Sequence, residues 1–184
     1  MKCPSCDGGR LVPNFIDDNL RSRECDLCGG DWLLIEDFVS WKEMHPEHKF
    51  SDDLTVEDIP QDTGRALFCP VTGGIMSEMR ISTTTPHRID YSAAVGGVWL
   101  DKGEWEMLKR DGIAGALNEI VTQAWQRQIK LDTANKNFAA IYADKFGEET
   151  YDRAKEVREW LHRHPQKAEL RAYLMAEDPY SAQK

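Results

Sequence analysis

Long apolar runs are missing from this 184-residue chain, and clusters such as Trp32 to Ile35 fall far short of the roughly 20 residues that a membrane-spanning helix needs. That absence excludes an integral membrane protein of the helical kind. An export leader is not legible either: Lys2 is followed at once by Cys3, Pro4 and Ser5 where such a signal would carry an apolar stretch. A reducing cytoplasm is therefore the expected location. The chain also lacks a phosphate loop, a G-x-S-x-G elbow and an H-E-x-x-H pair, and its five histidines are scattered or flanked by proline. No nucleophile and base stand in a recognisable pattern, so an enzyme is not expected.

Basic charge is scarce in one place only. Residues 1–64 hold 6 Lys+Arg against 15 Asp+Glu, while the remainder holds 17 of each sign, so the whole net charge of -9 sits in the first third. Such a stretch repels a polyanion unless a local basic face is hidden in it. What is present is the composition of a folded protein, 41% hydrophobic and 30% charged, of a length for one domain or two small ones. Collagen-like and disordered classes are excluded.

Cysteine is concentrated where basic charge is missing. The chain opens C-P-S-C-D-G-G and returns, after eighteen intervening residues, with C-D-L-C-G-G-D-W. Two C-x-x-C turns at this separation match a zinc site, because each turn aims two sulfurs at one centre and the glycines that follow permit positive φ. Cys3, Cys6, Cys25 and Cys28 would complete a thiolate tetrahedron with no open position, hence one structural Zn²⁺ per chain. A pair of disulfides, free core thiols or an iron centre would draw on the same residues. Between the turns, Leu11, Val12, Phe15 and Ile16 and then Leu20 to Arg23 can form short antiparallel strands around Pro13 and the Asp17-Asp18-Asn19 turn.

The pattern then recurs without its ligands. Cys69-Pro70-Val71-Thr72-Gly73-Gly74 repeats the first turn, and Ser92-Ala93-Ala94-Val95-Gly96-Gly97-Val98-Trp99-Leu100 repeats Cys25 to Leu33. Thr72, Ser92 and Val95 cannot form a thiolate cage. Cys69 and His87 remain as a ligand pair, against the plainer expectation that Cys69 is a small buried residue and that I-S-T-T-T and R-I-D-Y strands hold the second copy together by packing. His45 and His48 in H-P-E-H are expected in a solvated loop.

C-P-x-C, a hairpin, and C-x-x-C-G-G-x-W-L followed by an acidic residue resemble the bacterial zinc-ribbon family named after transcription factor IIB. V-G-G-V-W-L-D-K-G-E-W-E-M-L is similar to that family's W-L-D-x-G-E-L ending, without the cysteines. Over roughly the first 110 residues the resemblance implies zinc on Cys3, Cys6, Cys25 and Cys28, packing of Trp32 and Trp99 against the ribbon, and short helices opened by Glu36 and Glu104. It implies no particular process, since zinc ribbons serve as protein-docking modules as well as nucleic-acid contacts.

From Lys102 onward apolar residues recur at three and four. Trp105, Leu108, Ile113, Leu117, Ile120, Val121, Ala124 and Trp125 predict an amphipathic helix interrupted near Asp111-Gly112. Further helices are predicted over Asn135 to Phe146, ended by Gly147, over Glu149 to about Arg163 with Tyr151, Ala154, Val157, Trp160 and Leu161 as the buried side, and through Leu170, Tyr173 and Leu174. The expected fold is α+β: a zinc ribbon with a short helix (1–44), an acidic linker (45–66), a degenerate ribbon (67–110) and a helical C-terminal region (111–184). The basic residues Arg158, Arg163, Lys167 and Arg171 are candidates for nucleic acid or an acidic partner. They alternate with acids at helical spacing, as in Arg153–Glu156 and Lys155–Glu159, which favours a solvated face. The sequence thus predicts a non-catalytic zinc-binding adaptor with a protein partner and room for self-association, and, as the alternative, a transcription-associated nucleic-acid binder.

Overall fold

A computed structural model describes residues 1–17, 19–50 and 63–180. Its architecture is α+β. Two three-stranded hairpin units, β1 (Leu11–Ile16), β2 (Leu20–Cys25) and β3 (Asp31–Leu34), then β4 (Ser77–Arg80), β5 (Arg88–Ser92) and β6 (Gly97–Leu100), join in one six-stranded antiparallel sheet of order β1-β2-β3-β6-β5-β4. The repeats meet where β3 pairs with β6, Trp32 opposite Trp99, with Asp31 opposite Leu100 and Leu33 opposite Val98. Each tryptophan faces its own counterpart, so a local two-fold axis passes through the pair and relates the two copies.

Strand alternation divides the sheet into two faces. One carries Leu20, Leu33, Ile89, Val98 and Leu100 and is covered by α1 (Ile35–Met44), α2 (Glu104–Arg110) and α3 (Leu117–Ile120) through Phe38, Trp41, Trp105, Leu108, Leu117 and Ile120. The other carries Trp32, Trp99, Leu11 and Cys25 and packs against Leu67, Cys69 and Met76. Pro13 lies in β1, an edge strand, where its missing N–H costs least. Asp17 and Asn19 adopt positive φ in the β1–β2 turn, a conformation that Asp and Asn accept better than most residues; Asp18 lies outside the described residues. The Asp17 carboxylate accepts from Trp105 Nε1 at 2.7 Å and pairs with Lys109 Nζ at 2.9 Å, tying the first repeat's hairpin to the second repeat's helix.

Several local expectations shift. The fourth strand is Ser77–Arg80, one step before I-S-T-T-T; residues 82–85 instead turn on the Ser82 hydroxyl, which accepts from the Thr84 and Thr85 amides. His45 and His48 are half-buried against Trp41, with ring centroids at 5.0 and 4.7 Å, and His45 Nδ1 lies 2.8 Å from the Trp41 carbonyl at the end of α1. Pro46 ends the helix as expected, but Trp41 recruits both rings. Asp111-Gly112 does interrupt the first C-terminal pattern, Gly112 having positive φ. The next long helix, α4, runs Gln123–Phe146, starting twelve residues ahead of the expected Asn135. The acidic linker falls mostly on residues 51–62, outside the described residues.

The chain divides into two compact units, Met1–Asp132 and Thr133–Lys184, with the division inside α4. The second contains the end of α4, α5 (Glu148–Arg163) and α6 (Lys167–Met175). Neither α5 nor α6 has a buried residue. The expected buried side of α5 is therefore open: Val157 is 40% and Trp160 52% exposed. Periodicity identified the apolar face of this helix, and its own unit covers that face only in part, with Tyr151 half-buried and stacked on Tyr142 at 6.2 Å and Leu161 half-buried. No helix among the described residues is long and apolar enough to cross a membrane.

Candidate metal centre

Both C-x-x-C turns are built by short backbone hydrogen bonds. Cys25 ends β2, opposite Leu11; its N–H donates to the Gly30 carbonyl at 2.8 Å, and the Gly29 N–H returns to the Cys25 carbonyl at 3.0 Å. Gly29 has φ 71°, which a side chain at that position would resist. The N-terminal turn closes similarly, from the Cys3 N–H to the Gly9 carbonyl at 3.0 Å.

These turns converge. The sulfurs of Cys3 and Cys28 are 3.7 Å apart and those of Cys6 and Cys25 3.6 Å, and all four lie within 4.8 Å of one another. Disulfide sulfurs would be about 2.05 Å apart, so these are separate thiols. A metal about 2.3 Å from each of four sulfurs at tetrahedral angles spaces them about 3.8 Å apart. The observed separations fit one ion and leave too little room for a multi-iron cluster. Gly9 explains part of the geometry: a Cβ there would lie 2.4 Å from Cys25 Sγ and 2.6 Å from Cys6 Sγ, so glycine is required for the loop to close over the sulfurs.

Amide donors point at the sulfurs while burial opposes their ionisation. Cys3 Sγ accepts from the Ser5 and Cys6 amides, each at 3.3 Å, and Cys25 Sγ from the Cys28 amide at 3.5 Å. Burial pushes the Cys3 thiol upward, and it pushes Cys28 up to about 11. Burial acts on Cys25 in the same sense, but amide donors from Cys28 and Leu27 and the neighbouring thiols outweigh it and bring Cys25 down to about 7. Four sulfurs in one small space cannot all carry charge unless a cation neutralises them, which is the chemistry of a thiolate metal site.

The second repeat keeps the turn and lacks three of the four cysteines. The Cys69 N–H donates to the Gly74 carbonyl at 2.7 Å and the Gly73 N–H to the Cys69 carbonyl at 2.8 Å, with Gly73 at φ 72°, the same closure as Cys25 to Gly30. Cys69 is buried, as expected. Burial raises its thiol, but the Ser92 and Thr72 hydroxyls and the Thr72 and Val71 amides hold it below the ordinary range. His87 does not join it; it lines a separate cavity with Met107, Arg110 and Asp111. Among the described residues, the four N-terminal cysteines are the only group of three or more His, Cys, Asp or Glu side chains placed to hold a metal.

The basic candidates lie elsewhere. Arg163 pairs with Glu159 at 3.2 Å and Arg153 with Glu156 at 2.8 Å along α5, while Lys155 pairs with Asp152 at 2.7 Å instead of the expected Glu159. Arg158 lines two adjoining grooves of the helical unit, and Lys167 and Arg171 are exposed on α6.

Two features went unread in the sequence. The tryptophans pack across the repeats: a Cβ on Gly97 would meet the Trp32 ring at 2.0 Å, and one on Gly30 the Trp99 ring at 2.3 Å. The G-G-x-W repeat was its signal, although only the pairing of β3 with β6 reveals that each glycine serves the other copy's tryptophan. On the same face, Pro13, Phe15, Arg21, Arg23, Trp32 and Leu34 line an open groove of about 420 Å³. Its signal was alternation along V-P-N-F and L-R-S-R, which puts the two arginines and Phe15 on one side. Comparison with known proteins finds no matching family model, no matching curated protein and no matching solved structure.

Proposed function

We propose that Cys3, Cys6, Cys25 and Cys28 hold one Zn²⁺ as a closed structural centre, and that the chain is a non-catalytic, cytoplasmic protein-interaction adaptor related to the zinc-ribbon family named after transcription factor IIB. The observation carrying the metal assignment is the set of four sulfurs within 4.8 Å, spaced as a tetrahedron around one ion requires. Bound there, zinc would cross-link the N-terminal loop to the β2–β3 turn and neutralise the thiolates. With all four positions taken by protein, it would have no vacancy for a substrate. The adaptor reading is supported by the open groove on the first repeat, where Phe15 is 59% exposed above a floor of Trp32 and Leu34, with Arg21 and Arg23 at its edge. The alternative, nucleic-acid binding through Arg158, Arg163, Lys167 and Arg171, has less support because α5 pairs much of its basic charge internally.

Elemental analysis of the purified chain tests the metal site: about one zinc is expected, lost on Cys25→Ser with Cys28→Ser, and Co²⁺ in its place should give thiolate charge-transfer absorption. A stoichiometry near zero for the unaltered protein contradicts the assignment. For the adaptor reading, a partner captured by the intact chain should be lost with Phe15→Glu and Arg21→Glu at unchanged zinc content. Nucleic-acid binding that falls steeply with salt and disappears with Arg158→Glu, Arg163→Glu and Lys167→Glu would favour the alternative instead.

A further inference from the structure

The two knuckles of the metal centre are not held alike. Cys25 ends β2 and Cys28 lies in the turn that leads to β3, so the sheet places both. Cys3 and Cys6 precede the first strand. The main chain ties their loop down at its two ends, through the Leu11 N–H on the Met1 carbonyl and the Cys3 N–H on the Gly9 carbonyl. What fixes the middle of that loop comes from far along the chain. The Arg65 guanidinium donates to the Ser5 carbonyl, and the Ser5 hydroxyl lies 3.1 Å from that of Thr63. Thr63 is held in turn by Asp101, whose Oδ2 accepts from the Thr63 amide at 3.1 Å and also from the Thr63 hydroxyl. Asp101 is itself fixed: its Oδ1 accepts from Trp99 Nε1 at 2.8 Å, and its N–H donates to Glu104 Oε2 at 2.8 Å.

This relay has a direction. A carboxylate only accepts, so the single Thr63 hydroxyl proton goes to Asp101, and the Ser5 hydroxyl must donate to Thr63. Hydrogen bonds aligned in series polarise and strengthen one another. The far end lies on a sulfur, because the Ser5 amide donates to Cys3 Sγ at 3.3 Å. Holding Ser5 by its hydroxyl and its carbonyl therefore aims its N–H at Cys3. Asp101 stands where the first copy has Leu34, so the aligned position is polar in the second copy alone. The next residue, Lys102, lays its aliphatic stem against the other knuckle, where a Cβ on Gly29 would meet its Cδ at 3.3 Å. Consecutive residues of the ligand-poor copy thus reach both knuckles of the cysteine-rich one.

We propose that the second repeat serves as a buttress for the metal centre of the first, with Asp101 and Thr63 as positioning residues that set Ser5, and through it Cys3, for the ion. The proposal rests on the zinc reading of the four cysteines and gives a role to a repeat that carries one cysteine in place of four. A site whose supporting hydrogen bonds hold its ligands ready binds more tightly than one that must gather them.

Removing such a partner typically costs about 10–100-fold in metal affinity. Competition of the full chain for zinc against a chromogenic chelator should show a loss in that range for Thr63→Val, which keeps the branched shape and the amide and deletes the hydroxyl. Asp101→Asn should lose as much, since an amide side chain accepts on one side only and Asp101 faces donors on both. Thr63→Ser, which keeps the hydroxyl, should retain most of the affinity. Asp101→Asn also loosens Trp99, so Thr63→Val decides where the two differ. Hydrogen exchange in the zinc-loaded protein separates positioning from bulk support: in Thr63→Val the Ser5 amide should exchange about tenfold faster or more, with Leu33 and Val98 in the paired strands unchanged. Equal zinc affinity in Thr63→Val and the unaltered chain overturns the proposal, and so does a Thr63→Ser chain as weak as Thr63→Val. Exchange that quickens at Leu33 and Val98 as much as at Ser5 assigns Thr63 to the stability of the whole sheet and overturns it too. An unaltered chain that binds no zinc sinks the metal reading and this proposal together, whereas unchanged affinity in the variants sinks this proposal alone.

Discussion

Gly97 is buried in β6 at ordinary φ, so its identity answers to packing alone. A methyl group there would lie 2.0 Å from the Trp32 indole, a large buried side chain in the middle of the sheet. Gly97→Ala must move that ring or part β3 from β6, and overpacking of this kind costs roughly 1–3 kcal/mol. Thermal unfolding should therefore fall by several degrees. The strain is specific to one contact, so Trp32→Leu should remove most of the additional loss when combined with Gly97→Ala, and a double-mutant cycle should give a coupling of about 1 kcal/mol or more. Additive effects would show that the two groups do not compete for the same space. The tryptophans were expected to pack against the ribbon, as they do; which copy's glycine each one meets was illegible because a repeat in a sequence shows that copies exist without showing how they pair.

At the scale of elements, the two knuckles separate backbone from chemistry. Cys69 to Gly74 retains the hydrogen bonds and the left-handed glycine of Cys25 to Gly30, while Thr72, Ser92 and Val95 stand where the first repeat has cysteines. The Ser92 and Thr72 hydroxyls already converge on the Cys69 sulfur. Replacing Thr72, Ser92 and Val95 each with Cys should consequently raise zinc from about one to about two per chain, read by elemental analysis. A value that stays near one in a folded variant would mean that the second turn has drifted out of tetrahedral register. The turns and the convergence of the four cysteines were legible here because C-x-x-C and G-G impose local geometry within a few residues. Strand and helix limits were less so. Residues 81–85 are β-branched enough to suggest a strand, but Ser82 offers its hydroxyl to two amides and turns the chain instead.

For the molecule as a whole, the α+β class and the four-cysteine centre were legible from composition and spacing, whereas the single sheet and the open helical unit depended on contacts distant in sequence. The single sheet has a thermodynamic consequence. Zinc would bind one repeat, yet β3 and β6 pair along four residues and the Asp17 carboxylate grips Trp105 and Lys109 of the other. Metal binding free energy at a structural thiolate site is folding free energy, so its loss should lower the stability of both repeats together. Chelation should thus lower one cooperative transition, followed by the near-ultraviolet signal of Trp32, Trp41, Trp99 and Trp105. Acid should act in the same direction. Each thiolate that takes up a proton is lost as a ligand, so zinc affinity falls as pH falls, and Cys28, raised to about 11 when no metal is bound, is protonated readily at neutral pH. Two separate transitions after chelation, with Trp99 and Trp105 retaining their native signal, would show that the second repeat stands without the first and that β3–β6 pairing does not couple them.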